Sequence, residues 1–99
     1  MLHMMLTTHG PDTCSAVVPA IRDIAMEGFQ KMEERAKALG ITIQGSWANM
    51  PAHVIYMVVD APNAHVVNQL ARESRLMEWN TVTVNPILTL DEAIGIATQ

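Results

Sequence analysis

The feature that most constrains this chain is the order of its hydrophobic periods. Leu2 to Thr8 is a short run rich in Leu, Met and Thr, stopped by the turn formers His9-Gly10-Pro11-Asp12, and reads as a first strand. Val17, Ile21, Ala25, Met32, Ala36 and Leu39 then recur at helical spacing, with Arg22, Asp23, Gln30, Lys31, Glu33, Glu34 and Lys37 between them. This predicts a long amphipathic helix ending at Gly40. Pro19 suits its first turn, which leaves Asp12 to Val18 as a separate turn or a distorted first stretch. Ile41 to Trp47 alternates apolar with polar, and Asn49-Met50-Pro51 breaks the run. His53 to Val59 is almost continuously apolar and β-branched, as expected of a central strand covered on both faces. Asp60-Ala-Pro-Asn63 starts a second helix whose buried stripe is Val67, Leu70, Ala71, Ser74 and Met77, ending near Glu78. Thr81 to Asn85 alternates again, and Thr89-Leu-Asp-Glu92 is a capping box that opens a short C-terminal helix.

The order is β-α-β-β-α-β plus a tail helix, and 99 residues leave room for one domain, residues 1–99. The expected class is a ferredoxin-like α+β sandwich with two helices on one sheet face. The other face, with His3, Met5, Thr7, Thr42, Gln44, Thr81 and Thr83 as its expected members, needs a cover if it is apolar. A second copy of the chain is the simplest one.

The charge balance narrows the partners. Ten acidic against six basic residues give a formal net charge of -4, which repels nucleic-acid backbones and anionic membranes. Leu2 to Leu6 lacks a basic flank and is too short for a signal-peptide core, so the expected compartment is the cytoplasm. The single cysteine, Cys14, excludes an internal disulfide and any CxxC motif. No Gly-rich phosphate loop is present, and the eight methionines are dispersed instead of forming an MxxM cluster.

Gly45-Ser-Trp47 leading to Tyr56-Met-Val-Val-Asp60-Ala-Pro62, followed by Thr81-Val-Thr-Val-Asn-Pro-Ile and Thr89-Leu-Asp-Glu-Ala93, resembles the dimeric α+β barrel superfamily. Within it the chain is similar to the small GYD-type proteins, although Pro51-Ala52-His53 stands where those carry Gly-Tyr-Asp before the third strand. The resemblance implies a homodimer whose sheets face each other. Members of the superfamily include cofactor-free monooxygenases, isomerases, dehydratases and haem-binding enzymes, so the likeness fixes no reaction.

Topology locates the chemistry. A right-handed β-α-β crossover makes strands one and two parallel and strand three antiparallel, so the exits of one and two and the entries of three and four share one end. That end collects His9, Cys14, Trp47, Asn49, His53, Trp79 and Asn80. His9 and His53, as neighbours on the two central strands, are the candidate catalytic bases, since imidazole trades protons near neutral pH. Trp47, Asn49, Trp79 and Asn80 are the candidate ligand-binding residues, Asn being able to hold an oxyanion. The expected function is a homodimer that binds a small molecule and abstracts a proton without a cofactor, in the manner of a monooxygenase or isomerase. The alternative is a zinc or copper protein in which His9, Cys14 and His53 are the ligands, and a third reading is an accessory dimer without chemistry.

Overall fold

A computed structural model describes residues 1–99. It contains β1 (Leu2–Thr8), α1 (Pro19–Ala38), β2 (Thr42–Asn49), β3 (Val54–Asp60), α2 (Ala64–Glu73), β4 (Thr81–Pro86) and α3 (Leu90–Ala97), with single 3-10 turns at Pro11–Thr13 and Leu76–Glu78. The strands form one sheet in the order β2-β3-β1-β4, every neighbouring pair antiparallel. This α+β arrangement is compatible with a ferredoxin-like sandwich. Because β1 and β2 both oppose β3, they run in the same direction, and the expected loop clustering follows.

Pro19 occupies the first turn of α1, where its missing N–H costs nothing. The buried stripe is Ala25, Gly28, Met32 and Ala36, small enough on its N-terminal half to let another backbone approach. Val17 does not belong to it: the residue precedes the helix and is exposed. On α2 the Asn63 side chain accepts the Val66 N–H at 2.9 Å, and Val67, Leu70 and Ala71 are buried. The stripe expected to reach Met77 breaks at Arg75, whose φ of 63° turns the chain left-handed and ends the helix. Ser74 and Leu76 remain buried while Met77 faces outward.

The core lies between the helices and one sheet face, and here the structure corrects the face assignment of β1. His3, Met5 and Thr7 are buried on the helix-covered side. Met5 pairs with Met57 and with half-buried Val84, and Val59, Val67 and Leu70 are fully enclosed in the same core. Met4, Leu6, Tyr56 and Val58 form the middle of the opposite face together with exposed Thr81 and Thr83. Cover on both faces of β3 is therefore supplied by this chain on one face only. In β2 the register shifts between Ile43 and Gly45, leaving Gln44 exposed in a bulge.

The capping box of α3 forms as expected: Thr89 accepts the Glu92 N–H and Glu92 accepts the Thr89 N–H, both at 3.1 Å. The helix nevertheless buries no residue, with Leu90 76% exposed. The molecule is 52 Å long and 18 Å thick, and its radius of gyration of 14.5 Å exceeds the roughly 13 Å usual for such a chain. No helix is long and apolar enough to cross a membrane.

Candidate functional site

The β1–β3 ladder runs to Thr8 opposite Val54, and one further bond, from His9 N–H to the His53 carbonyl at 3.2 Å, places the two histidines side by side. Their ring centroids are 5.2 Å apart, edge to face. Strand parity puts His9 on the helix-covered side, the side of Thr7, and the His53 ring meets it there.

His53 reaches this position through a tight turn. Its N–H donates to the Met50 carbonyl at 3.2 Å, and Asn49 caps the same turn by accepting the Ala52 N–H at 3.1 Å. The turn requires φ of 56° at His53, a left-handed conformation that costs a residue with a Cβ about 1 kcal/mol. A histidine at a position that favours glycine is a candidate functional strain.

Cys14 arrives from the other side. The 3-10 turn at Pro11–Thr13 folds the chain over, and the Cys14 carbonyl then accepts the N–H groups of Val17 and Val18 at 3.1 and 2.9 Å. Cys14 is only 5% exposed. One donor atom from each of His9, Cys14 and His53 lies within 4.8 Å of the others.

Asn80 fixes the chemistry of His9. Its Nδ2 donates to the Leu76 carbonyl at 3.1 Å, which turns Oδ1 toward His9 Nδ1 at 2.9 Å. Since that oxygen only accepts, Nδ1 is the donating nitrogen of His9, and in the neutral imidazole the lone pair then falls on Nε2. His9 Nε2 is buried and has no hydrogen-bond partner, and the same holds for His53 Nδ1. Trp79, 3% exposed, lies against the His9 ring with centroids 5.1 Å apart, and Phe29 of α1 backs it edge-on at 6.1 Å.

A cleft of about 330 Å³ opens beside the cluster, between the β2–β3 end and the approach to α1. His9, Cys14 and His53 share its lining with Ala16, Phe29, Ala48, Met50 and Ile55, and no Asp, Glu, Lys or Arg contributes. Trp47 and Asn49 lie on its rim, Trp47 59% exposed with its ring across Gly45. Trp79 and Asn80 stand behind His9 and off the cleft wall. Phe29 and Ala48 had no sequence signal beyond their place in a helix and a strand.

The shifted ionisations lie elsewhere. The hydrogen bonds between Arg75 and Glu78 raise the guanidinium and hold the carboxyl below its ordinary range, and the Thr89 backbone N–H does the same to Glu92. His3, buried with Nδ1 at 3.1 Å from the Met1 carbonyl, and exposed His65 stand apart from the cluster.

No family model matches the chain, and no curated protein matches it. The likeness to the GYD-type proteins rests on the quoted residues alone.

Proposed function

We propose that the protein binds a transition-metal ion through His9 Nε2, His53 and the Cys14 thiolate. The observation that carries this reading is the pair of buried, unpartnered imidazole nitrogens beside a buried thiol. A buried polar atom without a partner costs about 1–3 kcal/mol, a cost that a metal bond made through that same nitrogen would remove. Asn80 meanwhile acts as the outer partner that metal-bound imidazoles usually have.

The donor set fits. Bonds of about 2.0–2.3 Å in tetrahedral geometry place donor atoms roughly 3.3–3.8 Å apart. A cluster spanning 4.8 Å closes to that by small side-chain rotations. Two imidazoles and one thiolate suit zinc or copper, and three protein ligands leave a fourth position open, as in catalytic sites.

Elemental analysis of protein never exposed to chelator tests the reading, with His9→Ala and Cys14→Ala alongside. Stoichiometric zinc or copper, lost in both variants, is expected. Absence of metal even after reconstitution sinks it and leaves His9 Nε2 as a metal-free base for the cofactor-free proton abstraction expected from the sequence.

A second copy of the chain is the proposed cover for the open sheet face, giving the dimeric barrel that the resemblance implies. Met4, Leu6, Tyr56 and Val58 across that face, and the apolar residues Leu90, Ile94 and Ile96 of α3, support it. An eight-residue helix is not stable in water without packing, so α3 gains from a partner surface. A monomer by light scattering at micromolar concentration refutes the dimer.

A further inference from the structure

We infer that the open coordination position takes a small organic monoanion whose uncharged, apolar body fills the adjoining cleft; the inference rests on the metal reading and names the ligand class of that site. Charge carries it. A divalent ion bound by one thiolate and two neutral imidazoles retains one positive charge, and no charged side chain lines the cleft to offset it. Burying a net charge against an apolar wall is costly unless a counter-charge comes with it. A singly negative donor atom on the ligand brings the centre to neutrality, whereas a neutral donor leaves the charge and a dianion overshoots.

The walls select the rest of the molecule. Ala16, Phe29, Ala48 and Ile55 offer apolar surface, and Ser15, Ser46 and Asn49 offer only neutral polar groups. The volume of about 330 Å³ is at the small end of the range for small-molecule sites, about 300–1,000 Å³. A short alkyl or aryl chain bearing one anionic head matches that space, and a thiolate head also matches the soft donor set that Cys14 begins.

Cobalt(II)-loaded protein titrated with linear alkanethiols of rising length tests this. On binding, the thiol gives its proton to the buffer and a sulfur lone pair to the metal, with no change of oxidation state. Cobalt–thiolate absorption from Cys14 reports metal occupancy before any thiol is added, so loss of the metal site and loss of the ligand are separate readouts. Expected is a dissociation constant that tightens roughly fourfold per added methylene until the cleft is full, with n-alkylamines of equal length binding at least tenfold more weakly. Ala48→Phe, at an exposed strand position on the cleft wall, should retain cobalt uptake and lose the dependence on chain length. Cobalt-loaded protein whose affinity ignores chain length, or which takes amines as well as thiols, overturns the ligand assignment and leaves the metal site standing. Failure to take up cobalt overturns the metal reading and this one with it.

Discussion

Gly28→Ala tests how closely α1 and α2 are made to approach. A Cβ at Gly28 overlaps the Ser74 carbonyl oxygen and comes 3.1 Å from the carbonyl carbon, where ordinary carbon contacts stand at about 3.5–4.0 Å. Ser74 is fully buried at the end of α2, and the left-handed Arg75 follows it, so this carbonyl is held by the turn and cannot swing aside. The helices must separate by roughly 1 Å, a gap that forfeits a quarter to a half of the dispersion attraction across the contact. Overpacking costs about 1–3 kcal/mol, and a backbone obstacle puts the cost near the top of that range. Alanine returns about 1 kcal/mol as the better helix former, for a net loss of about 2 kcal/mol. With a urea slope near 1 kcal/mol per molar for a chain this small, the unfolding midpoint falls by about 2 M.

Urea unfolding at one fixed protein concentration reads that shift, and tryptophan fluorescence in the native baseline reads the movement of Phe29 away from Trp79. Gly95→Ala is the control. Nothing lies within 4 Å of a Cβ there, so only helix propensity acts and the midpoint does not fall. A Gly28→Ala midpoint at or above that of the parent, with unchanged slope, refutes the close-approach account.

His53→Gly relieves the left-handed backbone, so the fold should be as stable or up to about 1 kcal/mol more stable while metal uptake falls, read by urea unfolding and elemental analysis on the same sample. Asn80→Ala leaves His9 Nδ1 without its acceptor and should weaken metal binding about 10- to 100-fold without changing the stoichiometry, measured by competition with a chromophoric chelator. Glu92 is held below the ordinary glutamate value by the Thr89 N–H, so its cap is fully present above the unfolded value and is lost as pH falls through the lower folded one. Helical ellipticity should therefore decline only below about pH 4.3, and Glu92→Gln should remove that part of the decline.

Element order was legible because it depends on local periodicity and punctuation. Gly10-Pro11, Gly40, Pro51 and Thr89-Leu-Asp-Glu92 each stop or start an element where the backbone demands it. What stayed hidden depends on contact between distant segments. Gly28 looks like a weak spot in a helix until Ser74 is seen against it, and Asn80 looks like a ligand group until Leu76 and His9 are seen to use both ends of its amide. Arg75 carries no turn signal at all. Its left-handed conformation breaks α2 while its guanidinium meets Glu78 at 2.6 Å, and the sequence shows only an unbroken helical stripe.

The face assignment of β1 decides where the chemistry lies relative to the proposed dimer. His3, Met5, Thr7 and His9 share one parity, and reading the polar members outward sends His9 to the open face, where a second copy would enclose it. Burial of Met5 against Met57 and Val84 fixes the opposite outcome: Met4 and Leu6 face outward, and His9 opens on the helix side with Cys14 beside it. A partner copy on the open face would then cover the side of the sheet away from the histidines, and each chain would hold a metal alone. Leu6→Glu places a charge in the middle of the open face and should give a monomer by light scattering that still takes up one metal ion per chain. Cys14→Ala should do the reverse, keeping the dimer and losing the metal. Loss of metal together with the dimer in Leu6→Glu, with the monomer still folded by circular dichroism, means that the site is completed across the interface and that the parity argument is wrong.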